Sequence, residues 1–272
     1  MSNSLFSLKG KIIAFSGATG VLGESMSLHL AKEGATLLIL GRTPQKVEAL
    51  VDKIQEQGGN VKGYICDVTD EESLETAATE IAKDWNYIDT LINAAGGNMP
   101  GAVVTPDKNF LDLDTSALRK VMDLNYMGTV LPIKALLPLM LKKEQGNILN
   151  ISSMAATRPM TRVMGYASAK AAIDNLTKWL SVELAAKHGP DFRVNAIAPG
   201  FFLTEQNRTL LTESDGSLTK RGNQIITHTP MERFGKPEDL LGALQWLCSD
   251  ASKFVSGTIV PVDGGFSAYS GV

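Results

Sequence analysis

The sequence predicts an α/β fold, a doubly wound parallel sheet of about seven strands with helices on both faces. Short apolar runs alternate with stretches of helical periodicity along the whole chain, which is the pattern of strands joined by helical crossovers. Most of these runs end in glycine or another small residue, as strands do where they enter a loop. With 272 residues and 44% hydrophobic composition, residues 1–272 are expected to form a single domain.

The elements follow in chain order. The first apolar run stops at a glycine turn, and the helix after it ends at Gly34. The predicted strands are residues 11–16, 36–40, 61–65, 88–92, 146–151, 193–198 and 258–262. The later predicted helices are residues 45–56, a segment beginning near residue 70, and residues 113–143, 166–187 and 238–249. Right-handed crossovers bring the carboxyl ends of such strands to one edge, where ligands bind.

An irregular polar segment interrupts this alternation after the sixth strand. Pro199 and Gly200 end that strand, and about 25 residues without a clear period follow. Connections of this length in a compact domain often cover a binding site. Residues 201–230 are therefore predicted to form a substrate lid.

Composition excludes several classes of partner. The formal net charge is −3, and acidic and basic residues are interspersed, which argues against nucleic acid or an anionic membrane as partner. Cys66 and Cys248 are isolated, so we predict two core thiols and no metal site. The first 11 residues do not resemble a signal peptide and no apolar run approaches the ~18 residues of a membrane span. A cytoplasmic protein acting on a small molecule is expected.

The turn between the first strand and the first helix is rich in glycine. It reads Gly17-Ala18-Thr19-Gly20-Val21-Leu22-Gly23. Glycines at such a turn let the backbone approach a pyrophosphate, and the helix N-terminus offers free N–H groups to its charge. The turn alone is a weak signal, but its position between a strand and a helix predicts a dinucleotide site.

Residues at the ends of the next strands bear on the choice of dinucleotide. A dinucleotide site commonly has an acidic residue after the second strand to bind the ribose hydroxyls, whereas this protein has Gly41 and Arg42. We therefore predict a preference for NADP(H), with NAD(H) possible, and Arg42 as the phosphate ligand; alternatively, Arg42 stacks on the adenine. Asp67 either accepts the adenine amino group or caps the following helix. Small residues at 93–97 permit close approach of a ribose.

The chemistry is assigned to Tyr166 and Lys170. These residues are four apart, so they project from the same face of a helix. An ammonium beside a phenol favours the phenolate, and a tyrosine acting near neutrality must lose about three pKa units, or roughly 4 kcal/mol. One ammonium at ~4 Å supplies about that much as an upper figure. The pair alone is more often ordinary helix surface, so its neighbours decide the interpretation.

Taken together, these motifs resemble the short-chain dehydrogenase/reductase family, whose members have a Rossmann-type sheet. The resemblance covers essentially the whole sequence, and Ser153 precedes Tyr166 by the family spacing of 13 residues. It implies that Tyr166 is the acid/base, that Lys170 lowers its pKa and binds the nicotinamide ribose, and that Ser153 hydrogen-bonds the substrate oxygen. Asn125 would hold a water in a proton relay. Val21 stands where the commonest family pattern has glycine, so the turn is expected to differ in detail.

The resemblance also implies a set of cofactor contacts. They are Gly17, Thr19, Gly20, Val21, Leu22, Gly23, Arg42, Asp67, Val68, Asn93, Ala94, Ala95, Gly96, Tyr166, Lys170, Pro199, Gly200 and Thr204.

The C-terminal third resembles a narrower group within this family, the D-mannonate oxidoreductases, also called fructuronate reductases. The similar segments are residues 199–208, 228–235 and 262–272. They imply reduction of the keto group of D-fructuronate to D-mannonate. A polyhydroxy carboxylate needs hydrogen-bond donors and a cation, and the candidates in loops near the site are Asn98, Arg158, Arg162, Arg208 and His228.

Two other functions stay open. One is a related sugar-acid or polyol dehydrogenase, such as one acting on gluconate, and the other is a dinucleotide-binding regulator without catalysis. The presence of both Tyr166 and Lys170 argues against the regulator. The family resemblance implies a homotetramer, with a dimer as the alternative, and the apolar character of the helix from Tyr166 and of the tail from Phe266 permits this.

Overall fold

The computed structural model describes residues 5–204 and 207–271. Over these residues a single parallel sheet has seven strands: β1 Ile12–Ser16, β2 Thr36–Gly41, β3 Asn60–Ile65, β4 Thr90–Asn93, β5 Gly146–Ile151, β6 Phe192–Pro199 and β7 Ile259–Val262. Their order across the sheet is β3-β2-β1-β4-β5-β6-β7. The predicted doubly wound α/β fold is confirmed.

Helices cover both faces of the sheet. They are α1 Val21–Lys32, α2 Pro44–Glu56, α3 Glu71–Asp84, α4 Thr115–Met122, α5 Gly128–Leu141, α6 Met164–His188, α7 Arg208–Leu211, α8 Lys220–Thr227 and α9 Leu241–Cys248. One core layer contains Leu30 of α1 and Leu244 of α9, and the other contains Leu74 of α3, Leu136 of α5 and Leu184 of α6. All five side chains are buried, and removing them from water stabilises the sandwich.

The strand order reverses between β1 and β4. After β3 the polypeptide crosses back over β1 and continues the sheet on its other side, so that Ser16 of β1 pairs with Asn93 of β4. The connections that leave the carboxyl ends of β1 and β4 run in opposite directions, which opens a crevice between the two loops that follow these strands. The crevice lies where the sequence analysis predicted ligand binding.

The helix predicted at residues 113–143 is interrupted around Asn125. A wider π-helical segment, Asp123–Met127, separates α4 from α5. Asn125 donates through Nδ2 to the Val121 carbonyl at 2.8 Å, and the Thr129 hydroxyl donates to the Asn125 carbonyl at 2.9 Å. These side chains compete for helix carbonyls and so favour the wider turn.

The continuous helical stretch Thr115–Leu141 has a mean hydropathy of 1.3 over 18 residues, which meets the composition and length of a membrane span. Half of that window is buried inside the protein, where α5 packs on α3 and α4 packs on α6. Core helices of globular folds meet the same criteria, and the burial assigns this stretch to the core.

The predicted lid at residues 201–230 is more regular than its sequence suggested. It contains α7 and α8, and its base is joined to the fold by a bridge between Phe202 and Gly235. The Thr219 hydroxyl caps α8 by accepting from the Gly222 N–H at 3.0 Å. A capping threonine starts a helix even where the apolar pattern is weak. Whether this segment closes over a substrate stays a prediction.

Candidate active site

The glycine turn lies against the loop that follows β4. Gly17 has φ +79°, and a Cβ atom there would lie 2.4 Å from the Ala94 carbonyl carbon and from the Ala95 nitrogen. Only glycine permits this approach. Gly20 precedes α1 without a capping side chain, so the first N–H groups of α1 remain available to an anion.

A cleft of about 300 Å³ runs from this turn along the sheet edge. Its predicted cofactor residues are Gly17, Thr19, Gly20, Arg42, Asp67, Val68, Ala94, Ala95 and Gly96. The glycine cradle and the helix N-terminus on its wall fit the pyrophosphate of a dinucleotide, whose adenosine would lie toward Arg42. The residues therefore fit the predicted cofactor.

Other predicted cofactor residues are not on the walls of this cleft. The amide of Asn93 donates to the Asn150 side chain at 3.0 Å inside the core, and its own Oδ1 is buried without a partner among the described residues. Six others lie in the first turn of α1 and around the end of β6: Val21, Leu22, Gly23, Pro199, Gly200 and Thr204. Their contacts with the cofactor stay predictions.

Arg42 shares the adenosine end of the cleft with a second cation. Lys46, in the first turn of α2, lines the same cleft. The sequence analysis missed this residue, although it follows Arg42 by four positions. Both cations therefore face the same cleft, where either could contact an anionic group of the cofactor.

Asp67 does not cap α3, because that role belongs to Asp70, whose side chain accepts from the Ser73 N–H at 3.2 Å. Asp67 instead accepts from the backbone N–H and the hydroxyl of Thr69, at 2.9 and 2.7 Å. Burial raises the pKa of Asp67, but these two bonds and the charge of Arg42 hold that pKa below its usual value. The capping alternative was wrong, and a negative Asp67 remains on the cleft wall.

Ser153, Tyr166 and Lys170 come together at the end of β5. Tyr166 and Lys170 are in the first turns of α6, and the Lys170 ammonium lies 5.6 Å from the centre of the Tyr166 ring. The ammonium also donates to the Ile151 carbonyl at 2.7 Å. The side chain of Ser153 hydrogen-bonds Tyr166. Tyr166 and Lys170 thus share one face of the helix, as their spacing predicts.

The pKa of Tyr166 differs in direction from the sequence-based prediction. Burial raises the pKa of its phenol, although the Ser153 hydrogen bond lowers it. Burial also lowers the pKa of Lys170 to about 8, although Asp174 raises it. Burial disfavours both charged forms, and at Tyr166 it outweighs the Ser153 hydrogen bond. A further positive charge, such as that of an oxidised nicotinamide, would lower the pKa of Tyr166.

Asp174 is a buried carboxylate one turn beyond Lys170. The Ser152 hydroxyl hydrogen-bonds it. Burial raises the pKa of Asp174, although Ser152 and the charges of Lys178 and Lys170 lower it. The sequence analysis did not single out this residue, but its spacing of four from Lys170 was a usable signal.

Asn125 joins the helical break to the loop after β4. It donates to the Gly97 carbonyl at 2.7 Å and accepts from the Gly97 N–H at 3.1 Å. A Cβ atom at Gly96 would lie 2.6 Å from Asn125 Oδ1 and 3.4 Å from Lys170 Nζ. These contacts give Asn125 a structural role beside Lys170, and its water-holding role stays a prediction.

The five residues predicted to bind the substrate differ in exposure and in their hydrogen-bond partners. Arg158 donates from Nε to the Ser267 carbonyl at 2.9 Å and so holds the C-terminal tail. Asn98 is exposed, and its Oδ1 accepts from the Met99 N–H. Arg208 begins α7 and is exposed, while Arg162 is half-buried four residues before Tyr166.

His228 lines a cavity of about 210 Å³ between α8 and the loop that precedes Tyr166. The same cavity is lined by Arg158 and by Arg221 of α8. The sequence analysis missed Arg221, which lies in the segment it treated as irregular and which no motif marks.

Comparison with known proteins identifies the family. A family model described as Enoyl-(Acyl carrier protein) reductase, of the short-chain dehydrogenase/reductase family, matches residues 17–267. The chain belongs to the short-chain dehydrogenase/reductase family. It is therefore an NAD(P)-dependent oxidoreductase that acts on a small molecule, as the sequence analysis predicted.

Several members of the family cover almost the whole chain. The uncharacterized oxidoreductase UxuB of Bacillus subtilis is 44% identical over 97% of this chain and 98% of its own. The crystal structure of a candidate D-mannonate oxidoreductase from Haemophilus influenza, with bound NAD, is 42% identical and superposes with a TM-score of 0.91 over 98% of both chains. A gluconate 5-dehydrogenase from Burkholderia cenocepacia, in complex with NADP and tartrate, is 28% identical, with a TM-score of 0.85 over 97% of both chains.

Proposed function

We propose that this protein interconverts D-fructuronate and D-mannonate with a nicotinamide dinucleotide. The observation that carries the proposal is the similarity to the Haemophilus influenza candidate D-mannonate oxidoreductase, at 42% identity and a TM-score of 0.91 over 98% of both chains. The match covers the segment predicted to be a lid and the tail, and loops of this kind carry specificity on a fold that many enzymes share. Arginines near the site suit a carboxylate substrate.

The residues at the end of β5 have the chemistry for carbonyl reduction. When bound, the reduced nicotinamide supplies the hydride. The Tyr166 phenol donates its proton to the carbonyl oxygen, and the Ser153 hydroxyl hydrogen-bonds the same oxygen. The Lys170 ammonium stabilises the phenolate that remains. In the oxidative direction the Tyr166 phenolate takes the proton back.

A panel of keto acids tests the assignment. Wild-type protein is assayed with D-fructuronate, 5-keto-D-gluconate and a polyol panel by following nicotinamide absorbance. We expect the highest kcat/KM with D-fructuronate. A higher value with 5-keto-D-gluconate would instead favour the gluconate class, which the similarity to the Burkholderia cenocepacia gluconate 5-dehydrogenase keeps as the second candidate.

Replacing the phenol tests the chemistry. Tyr166→Phe should lower kcat by at least about 1,000-fold, because the proton donor is lost, while NAD(P)H binding measured by fluorescence persists. Tyr87→Phe is the control, since Tyr87 precedes β4 and contacts Lys143 away from the cleft. Turnover that survives Tyr166→Phe would refute the mechanism. Wild-type protein that binds NAD(P)H but reduces no carbonyl compound would indicate the regulator.

NADP(H) preference is the further part of the proposal, with Arg42 and Lys46 as ligands of the 2′-phosphate. The pair lines the adenosine end of the cleft, and Gly41 stands where an acidic residue would repel phosphate. Arg42→Ala and Lys46→Ala should each lower kcat/KM for NADPH by about 10-fold or more. The kcat/KM for NADH should stay within twofold of the wild-type value. An equal loss with both cofactors would mean that Arg42 stacks on the adenine.

A further inference from the structure

Arg221 is held in a fixed position at the start of α8. The Thr219 hydroxyl accepts from the Gly222 N–H and donates to the Leu210 carbonyl at 2.8 Å. A Cβ atom at Gly222 would lie 2.1 Å from the Leu211 carbonyl oxygen, so α8 packs directly on α7. The first turn of α8, including the half-buried Arg221, therefore has little freedom to move relative to α7.

The cavity beside Arg221 is apolar on one side. Phe201, Ile225 and Phe266 contribute to its wall, and the rings of Phe201 and Phe266 meet edge to face with centroids 5.2 Å apart. An ion pair or charged hydrogen bond is stronger beside such a wall than in bulk water. A guanidinium placed there would bind an anion more strongly than one on an open surface.

Arg162 occupies an unusual backbone position. Its φ of 76° is in the left-handed region, which non-glycine residues adopt at a cost of about 1 kcal/mol or more. The Arg162 carbonyl accepts from the Val104 N–H at 3.0 Å. This bond ties the residue, four positions before Tyr166, to the loop that follows β4. Strained backbone conformations of this kind are held in place by the surrounding structure and are found most often at functional sites.

Arg162 lies beside the cavity that Arg221 lines, because its neighbour Thr161 is on the wall of that cavity. The charge of Arg162 lowers the pKa of the Arg221 guanidinium, and burial, the larger cause, lowers it further. Within residues 5–204 and 207–271, neither side chain has an ion pair or a side-chain hydrogen bond. By contrast, Arg233 pairs with Asp239 at 2.6 Å, and Arg193 bonds Ser252 at 3.0 Å.

We propose that Arg221 and Arg162 together bind the carboxylate of the substrate, at the face where α8 meets the loop before Tyr166. Burying two cations without a counterion costs free energy, and an anion bound between them offsets that cost. Guanidinium groups also match a carboxylate through paired hydrogen bonds. The inference rests on the proposed function and deepens it. It assigns the carboxylate to Arg221 and Arg162 and leaves Arg158 to the tail.

The kinetic test compares two substrates that differ only at the anionic end. D-fructose carries a hydroxymethyl group where D-fructuronate has its carboxylate. Arg221→Ala and Arg162→Ala should each lower kcat/KM for D-fructuronate roughly 50-fold, mainly through KM, and leave the low value for D-fructose within twofold. Arg221→Lys should recover part of the loss, because it keeps the charge but not the planar fork. Lys220→Ala, an exposed neighbour on α8, should change neither value.

A binding measurement does not depend on turnover. With saturating NADPH, D-mannonate should raise the Tm of the wild-type protein and of Lys220→Ala, whereas the neutral D-mannitol should not. Arg221→Ala and Arg162→Ala should abolish the rise. Losses of equal size for D-fructuronate and D-fructose, or an unchanged D-mannonate effect in both arginine variants, would overturn the inference.

Failure of the proposed function gives a different result. If the wild-type protein reduces 5-keto-D-gluconate and not D-fructuronate, the substrate is wrong, and the comparison is repeated with 5-keto-D-gluconate and its neutral counterpart L-sorbose. Selective loss with the acid in Arg221→Ala would then still support the carboxylate site. Equal loss with both would refute that site independently of the substrate.

Discussion

At the scale of single residues, the charge of Lys170 depends on its buried neighbours. Lys170 donates to the Ile151 carbonyl. Burial lowers the pKa of Lys170, and with the opposing effect of the Asp174 charge included that pKa is about 8. Asp174 is in turn hydrogen-bonded by Ser152. The ammonium is therefore maintained by a carboxylate that does not contact Tyr166 in any described hydrogen bond, which makes Asp174 a positioning residue.

Asp174→Asn should shift the pH dependence of reduction. The Lys170 ammonium is present below its pKa of about 8 and is lost as the pH rises through that value. Removing the negative charge lowers the pKa of Lys170 further, so the basic limb of kcat should move to lower pH and kcat at pH 8 should fall several-fold. The profile is compared with that of Glu183→Gln, on the same helix near its end. Coincident limbs in the two variants would contradict the role of Asp174.

Residue spacing predicted part of the site. Tyr166 and Lys170 lie as their spacing of four requires, and Ser153 reaches Tyr166 because β5 ends where its apolar run ends. The direction of the pKa of Tyr166 was not predictable, because burial is a property of the folded protein. The sequence analysis missed Arg221 for a similar reason, since its position near Arg162 depends on how α8 packs.

At the scale of elements, the glycine turn and the loop after β4 fit together as one surface. Gly17 has no room for a side chain, because the backbone of Ala94 and Ala95 occupies the position of a Cβ atom. Gly58 has nearly the same φ, 77° against 79°, but nothing within 4 Å of the Cβ position. Comparing substitutions at the two glycines therefore separates the cost of a positive φ from the cost of crowding at the Cβ position.

Gly17→Ala should destabilise the fold and weaken cofactor binding. We expect a loss of roughly 3 kcal/mol in the free energy of unfolding and a higher Kd for NAD(P)H, because the turn must move away from Ala94. Gly58→Ala should cost only about 1 kcal/mol, the price of the positive φ, and leave Kd unchanged. Urea unfolding and fluorescence titration measure both quantities. Similar losses in the two variants would show that crowding at the turn is unimportant.

The interrupted helix shows what a sequence pattern omits. The apolar period predicted one helix over residues 113–143, although an asparagine within a helix competes for backbone hydrogen bonds. The structure inserts a wider segment at Asp123–Met127, which lets the Asn125 side chain reach Gly97. Periodicity could locate the helix, but the extra width of one turn is set by contacts with a loop that is distant in sequence.

At the scale of the whole molecule, the alternation of strands and helices was sufficient to predict the sheet. The strand order follows from short right-handed crossovers and one reversal at β1. Association between chains is a separate question. Trp179 and Val182 of α6 are 58% and 69% exposed, and large apolar side chains that are neighbours on one helix suit the core of an interface between chains.

We expect a homotetramer in which α6 packs against α6 of a second copy. Light scattering coupled to size-exclusion chromatography should give four chains per particle. Trp179→Glu combined with Val182→Glu should reduce this number, because a charge in an apolar interface is costly. Thr79→Glu, on the exposed side of α3, is the control and should leave assembly unchanged. A tetramer that survives the double substitution would exclude α6 as the interface.

The bond between Arg158 and the Ser267 carbonyl couples two segments that are distant in sequence. The segment that carries Ser153 and leads to Tyr166 is held through this guanidinium to the segment around Ser267. Changes in the segment around Ser267 should therefore act at a distance on the loop before Tyr166, and we expect them to alter activity although none of the altered residues contacts the substrate.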